Sequence, residues 1–232
     1  MAGPASAMIF AAGLGTRMGA LTRDRPKPLI RVGEATLLDH ALAILRGAGI
    51  GRIVVNAHAH AGQVEAHLAE VAPEAAVSFE SVLLETGGGL KAALPLLAPG
   101  PVLTLNADMV WRGPNPAAAL AAAWDGARMG ALLALVPRAA ALGHAGAGDF
   151  RLGPDGRLAR RGGAATAPFV YAGAQVIDPA ALEDFEPGAF SLNRVWDALL
   201  AEGRLYGLVW PGRWVDVGRP EGIALAEAEL AR

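Results

Sequence analysis

A chain of 232 residues with 53% apolar side chains is long enough to bury the core of one α/β domain and too apolar to stay disordered. Its formal net charge of -2 excludes the basic footprint of a nucleic-acid binder or of a protein held to anionic membranes, so a small molecule is the expected partner. The absence of cysteine excludes a disulfide framework, a thiolate metal site and a cysteine nucleophile.

The opening MAGPASAMIFAAG has no basic n-region, and its apolar run is too short for a signal peptide or a membrane span. A soluble, cytoplasmic protein is the expectation. No internal repeat is evident. Ser6 to Ala12 is an apolar run of the kind found in a strand covered on both faces, and it stops at Gly13-Leu14-Gly15-Thr16-Arg17. Glycines at a strand's end expose backbone N–H groups with no Cβ in the way, which suits a phosphate chain. A dinucleotide-binding loop is disfavoured because Pro26 and Pro28 follow too soon for a long helix and the second strand ends in Asn56 rather than an acid; a P-loop is excluded because no Gly-Lys pair occurs. The remaining alternative is a plain surface loop. Lysine usage argues against that, since the chain has 18 arginines and only Lys27 and Lys91. A compact ammonium fixed between Pro26 and Pro28 suits a point contact with a phosphate oxygen, and the planar Arg17 suits a forked one.

The string GLGTRMGALTRDRPKP resembles the signature of sugar-1-phosphate nucleotidyltransferases, with Ala20 where that pattern has proline. The resemblance implies a Rossmann-like, doubly wound mixed α/β sheet of the nucleotide-diphospho-sugar transferase type, GT-A-like, as one domain over 1–232 with a small inserted sugar-binding lobe near 140–175. It also implies nucleotide contacts from Ala11, Ala12, Gly13, Gly15 and Thr16, with Arg17 and Lys27 as catalytic cations.

Further along, the apolar spacing from Leu37 to Ala48 predicts a helix stopped by Gly49. Arg52 to Asn56 reads as a strand, Ala61 to Val71 as a helix and Val77 to Glu80 as a strand, an alternation that predicts parallel pairing with helices on both sides. His58 and His60 form an H-x-H pair without a third ligand nearby and read as a solvated loop, while His40 and His67 read as partly exposed helix residues. Glu85-Thr86-Gly87-Gly88-Gly89 is expected to be a loop open to a flat group or a phosphate, followed by a helix through Leu90 and Ala93; a flexible loop capped by Thr86 is the alternative. In the resembling family this position contacts the base, so Glu85, Thr86, Gly88 and the later Asn106 join the nucleotide set. The form ETGGG is similar to that of N-acetylmuramate-1-phosphate uridylyltransferases.

Val102 to Asn106 predicts a strand that delivers Asp108 to the crevice, where it either helps hold Mg²⁺ or caps a helix. A helix over Asn115 to Trp124, a buried strand over Met129 to Val136 and a hairpin around Pro154-Asp155-Gly156 follow. Gly148, Asp149 and Tyr171 resemble sugar-contacting positions of the family. Arg160-Arg161 stands where many members carry a Glu-Lys pair, so the sugar contacts must differ. Asn193 either caps the next helix or reaches the sugar. Trp111, Trp210 and Trp214 read as core residues before a stacking platform. Arg213 to Gly218 is a strand alternating around Asp216, which needs a cation or hydrogen bonds if buried, and Pro220 opens a closing helix. The family's second metal motif matches Asp216, so the resemblance implies Mg²⁺ between Asp108 and Asp216.

The expected reaction joins an NTP, with UTP favoured, to a sugar 1-phosphate, with N-acetylmuramic acid 1-phosphate favoured, in bacterial cell-wall recycling. A mannose- or heptose-1-phosphate guanylyltransferase is the enzyme alternative, and a nucleotide-sugar sensor the non-enzyme one. The closing helix is expected to end the domain, without the acyltransferase domain that some relatives carry.

Overall fold

The structure, a computed structural model, describes residues 3–232. Residues 1 and 2 of the opening stretch lie outside the described residues. In chain order the elements are β1 (Ser6–Phe10), β2 (Arg31–Val32), β3 (Ala35–Thr36), α1 (Leu37–Gly47), β4 (Arg52–Ala57), α2 (Ala61–Val71), β5 (Ala76–Phe79) and α3 (Glu85–Ala93). Then follow β6 (Val102–Asn106), β7 (Met109–Arg112), α4 (Pro116–Ala123), β8 (Ala131–Pro137), β9 (Ala141–Leu142), β10 (Phe150–Leu152), β11 (Leu158–Arg160) and β12 (Phe169–Ile177). The last elements are α5 (Leu192–Ala201), β13 (Leu205–Val209), β14 (Arg213–Asp216) and α6 (Glu221–Leu230). Among the described residues no helix is long and apolar enough to cross a membrane.

The βα alternation produces what it predicts in the first half. Strands β6, β1, β4 and β5 lie side by side and parallel. Strand side chains alternate between two cores, as a doubly wound sheet requires. Ala7, Ile9, Ile53, Val55, Leu103 and Leu105 face one core with α1, α2 and α4; Met8, Val54, Val102 and Leu133 face the other with α3 and α5. Burial of such side chains from water is the main stabilising term.

The second half makes the sheet mixed. Strand β12 runs antiparallel to β6 and to β8, and β13 adds to β8 in parallel. Between Tyr171 and Gln175 the β12–β8 register shifts, and Gly173 takes a φ of 84° there, with its Cα facing Asn106 and Met109 so closely that a Cβ would lie 3.1 and 3.0 Å from them. Beyond this bulge the start of β12 pairs with β10 instead of β6, so the strand forks. From β10 onward the 140–175 stretch is therefore continuous with the central sheet, and its β10–β11 hairpin extends the sheet's edge. A separate three-stranded sheet, β7–β14–β9, packs with α6 over a third core of Met18, Val110, Val215 and Val217.

Helix α1 starts at a complete capping box. The Asp39 N–H donates to Thr36 Oγ1 at 3.1 Å, and the Thr36 N–H donates to Asp39 Oδ2 at 2.9 Å. His67 of α2 lies 2.7 Å from Asp39 Oδ1, so this histidine ties two helices together rather than standing alone. Thr36→Ala is expected to lower stability by about 1 kcal/mol, read as a shifted urea midpoint with unchanged slope.

Candidate active site

Strands β1 and β6 are parallel neighbours, so their C-terminal ends deliver two loops to one crevice. From β1 comes the glycine loop. Gly15 has a φ of 62°, and a Cβ there would lie 2.9 Å from Thr22 Cγ2 and 3.0 Å from Lys27 Cβ. Glycine is required by both conformation and space. Gly13, by contrast, faces open space. The loop is pinned from below, as Asn56 Oδ1 accepts from the Ala11 N–H at 2.7 Å and the Ala12 N–H at 3.3 Å. Asn56 Nδ2 donates to Glu80 Oε1 at 2.6 Å, and Glu80 Oε2 accepts from the Leu84 N–H at 3.0 Å. Ala11 and Ala12 thus line the crevice with their N–H groups already engaged. The buried Asn56–Glu80 pair was missed from sequence; its only signal was an amide and an acid at the ends of adjacent strands.

Lys27, held in the short turn between Pro26 and Pro28, is only 7% exposed. Its Nζ donates to Asp108 Oδ2 at 2.5 Å, across 81 residues of sequence. Asp108 sits in the turn between β6 and β7 and caps no helix, which removes that alternative. Asp216 arrives from β14, opposite Met109 in the register, and the Val217 N–H donates to the Asp108 carbonyl at 3.0 Å. The two aspartates predicted to converge are neighbours. Burial, followed by the charge of Asp108, holds the Asp216 carboxyl above the ordinary carboxylate range, while Lys27 and Arg17 act in the opposite sense. Asp216 Oδ1 is buried and makes no well-formed hydrogen bond, the Gly218 N–H giving the carboxyl only partial relief. Lys27 neutralises one carboxylate and leaves the other short of positive charge; an oxygen-ligating cation fits that deficit, and a pair of carboxylates completed by phosphate oxygens is a donor set suited to Mg²⁺.

Arg17 closes the same side, since a Cβ at Gly218 would lie 2.7 Å from Asp216 Oδ1 and 3.5 Å from Arg17 Nη1. His144 was also missed. Its Nδ1 lies 3.8 Å from Asp216 Oδ2, and the preceding Gly143, at φ 74°, comes so close to the Asp216 carbonyl that a Cβ would be 2.3 Å from it. The loose composition of 143–148 hid a loop wrapped around the acid.

The expectation for 85–89 needs correcting. Gly87, Gly88 and Gly89 lie inside α3 and are buried against protein, so they are closed to a ligand. A Cβ would lie 2.0 Å from the Gly188 carbonyl oxygen at Gly88 and 2.6 Å from Glu80 Oε1 at Gly89. Gly88 accordingly makes no part of the cleft wall, whereas Glu85 and Thr86 do. Thr86 Oγ1 accepts from the Leu192 N–H at 3.0 Å, tying α3 to α5. Glu85 has a φ of 56°, the left-handed conformation that glycine adopts without cost.

The glycine loop through Arg17, with Lys27, Asn106, Asp108 and Gly218, walls a cleft of about 470 Å³, and Asp216 is not itself part of that wall. A second cavity, about 270 Å³, shares Phe10, Thr86 and Asn106 with it and opens at the fork of β12. Asp149, Tyr171 and Asn193 line this second space. Asp149 Oδ2 accepts from the Tyr171 N–H at 2.9 Å, and the Tyr171 ring packs edge-on against Trp196 with centroids 4.8 Å apart. Burial raises the Tyr171 phenol far above its ordinary value, so it stays protonated. Gly148 is set apart: its φ is 84° and a Cβ would lie 2.3 Å from the Ala167 carbonyl oxygen, so it serves the backbone turn and not the cavity wall. Asn193 is not the cap of α5, a role taken by Ser191. Trp210 and Trp214 are buried, and each contacts Trp111 edge-on, as core residues do. Among the described residues, no group of three or more His, Asp or Glu side chains is placed to hold a metal, and His58 instead meets the Glu80 carbonyl at 2.7 Å.

A sequence model described as the MobA-like NTP transferase domain matches residues 7–154. The chain belongs to this family. It is 44% identical to N-acetylmuramate alpha-1-phosphate uridylyltransferase of Caulobacter vibrioides, over 98% of both chains. The protein of the same name from Neisseria meningitidis is 33% identical over 91% of this chain and 92% of that one. Among solved structures, UDP-glucose pyrophosphorylase complexed with UDP-glucose superposes with a TM-score of 0.81 at 15% identity, covering 100% of this chain and 99% of the other. At that identity the likeness shows the fold alone, and this NTP transferase has the mixed α/β Rossmann-like sheet the resemblance implied.

Proposed function

We propose that the protein is a uridylyltransferase that joins the uridylyl group of UTP to N-acetylmuramic acid α-1-phosphate and releases pyrophosphate. The likeness over nearly the whole of both chains to the Caulobacter vibrioides uridylyltransferase carries this reading. Two adjoining cavities support it, since such a reaction needs one space for a nucleotide and one for a sugar, meeting where the phosphates react.

A sugar-phosphate oxygen attacks the α-phosphorus, and the bond to the pyrophosphate oxygen breaks. Both reactants are anions, so the protein's task is to hold them in line and offset their repulsion. Ala11, Ala12, Gly13, Gly15 and Thr16 seat the nucleotide phosphates and ribose, and Glu85, Thr86 and Asn106 border the base and the sugar. Arg17 stabilises charge on the departing pyrophosphate, and Lys27 fixes Asp108 and faces the phosphates. Asp108 and Asp216 would hold Mg²⁺, which supplies charge neutralisation at the phosphate oxygens. Asp149 and Tyr171 orient the sugar, and Asn193 borders the same space. Such a reaction belongs in the cytoplasm, where nucleoside triphosphates are available, and its product fits reuse of cell-wall sugar.

Pyrophosphate release across UTP, CTP, GTP and ATP, each with N-acetylmuramic acid, N-acetylglucosamine, mannose and glucose 1-phosphates, tests this. The highest kcat/KM is expected for UTP with the muramic acid substrate. A maximum at GTP with mannose 1-phosphate would make it a guanylyltransferase, and binding without turnover of any pair would make it a sensor.

A further inference from the structure

The Arg160-Arg161 pair departs from the family pattern, and the structure divides it. Arg161 braces its own loop by donating to the Ala164 and Ala165 carbonyls at 3.1 and 3.3 Å. Arg160 turns into the wall of the second cavity, where it is the one cation among the residues lining that space. Its guanidinium lies over the Phe150 ring, 4.9 Å from the centroid, and 5.8 Å from that of Trp196. Nη1 donates to Asn193 Oδ1 at 2.9 Å and Nη2 to the Asn193 carbonyl at 3.1 Å, while Nε and Nη2 reach Asp197 Oδ1 at 2.9 and 2.8 Å. This is a fixed guanidinium, with its plane set by two rings and two hydrogen-bonded partners on α5.

The charges around it are unequal in exposure. Asp197 is 62% exposed in its side chain, so solvent already screens its hold on Arg160. Asp197 is not among the residues lining the cavity, and the carboxylate that does line it, Asp149, is committed to the Tyr171 N–H. A sugar bearing its own carboxylate would be repelled near Asp149 and attracted near Arg160. A neutral sugar ring offers the guanidinium hydroxyl or amide oxygens, whereas a carboxylate adds charge to the hydrogen bond.

We infer that Arg160 determines specificity for the sugar: it binds the carboxylate of an acidic sugar 1-phosphate, which for the proposed substrate is the lactyl carboxylate. This rests on the uridylyltransferase reading above and adds to it the residue that selects the acid. Asn193 then acts as a positioning residue through Arg160, and the rings of Phe150 and Trp196 keep the guanidinium flat against the wall.

The test compares kcat/KM for N-acetylmuramic acid 1-phosphate with that for N-acetylglucosamine 1-phosphate, which lacks the lactyl group, in the unsubstituted enzyme, Arg160→Met and Arg160→Lys. The ratio is expected to fall at least tenfold in Arg160→Met, mostly through KM of the acidic sugar, because a charge-assisted pair is lost. Arg160→Lys should restore part of the ratio. If both substrates lose the same factor in Arg160→Met and the ratio stays, the arginine only supports the cavity wall and the inference is overturned. If the unsubstituted enzyme already uses the two sugars equally, the acidic-substrate reading falls and takes this one with it.

Discussion

Replacing Asp216 by asparagine is expected to lower turnover by at least ~100-fold, the scale of losing one preorganised electrostatic group, while raising the melting temperature of the metal-free protein. The two effects share one cause. Burial and the adjacent Asp108 hold the Asp216 carboxyl above its ordinary value, so ionisation is harder in the folded protein than in the unfolded chain. Well below the ordinary carboxylate value the ionisation costs nothing. As pH rises from that value through the raised one, the unfolded chain ionises more readily than the folded one, stability is lost, and the loss stays in full above. Asparagine removes that cost, so the gain in melting temperature should be present at pH 7.5 and vanish near pH 3. Added Mg²⁺ should stabilise the unsubstituted protein and do much less for Asp216→Asn. A variant less stable than the parent at pH 7.5 would show that Asp216 is a structural acid.

Gly88→Ala is expected to be severely destabilising for the addition of a single methyl group. Its Cβ would lie 2.0 Å from the carbonyl oxygen of Gly188, which is backbone and has no rotamer to retreat to. Forcing α3 off that segment also disturbs Gly87 N–H and Gly88 N–H, both donating to the Phe190 carbonyl at 2.9 and 3.0 Å. A loss of about 3 kcal/mol is expected, at the upper end of overpacking costs. Gly62→Ala in α2, where a Cβ would meet nothing within 4 Å, is the control and should stabilise by about 0.5–1 kcal/mol. Equal denaturation midpoints for the two variants would contradict the packing described for α3.

Local chemistry was legible in the residues themselves; of the long-range chemistry, the meeting of Asp108 with Asp216 came from the family resemblance and the rest was not legible. Gly15, Lys27 between its prolines, and Asp108 at a strand's end all announce themselves within a few residues. The parallel half of the sheet followed from βα alternation. The triple glycine of α3 misled because glycine alone predicts a loop, whereas Gly188 and Phe190, about 100 residues away, make a glycine helix necessary. Neither the Lys27–Asp108 pair nor Asn56 beneath the glycine loop has a short-range pattern. The fork of β12 depends on Gly173 meeting Asn106 and Met109, and with it the cavity that receives Asp149, Tyr171 and Arg160. His144 lay in a stretch whose glycines read as slack but serve to bring it against Asp216.

The claim that Asp108 and Asp216 together seat a divalent cation is tested most directly by titrating Mn²⁺, as a spectroscopic stand-in for Mg²⁺, into the protein with a non-hydrolysable UTP analogue and following free Mn²⁺ by electron paramagnetic resonance. The unsubstituted protein should take up Mn²⁺ at least tenfold more tightly than either Asp108→Asn or Asp216→Asn. Superimposable titration curves for all three proteins would contradict it.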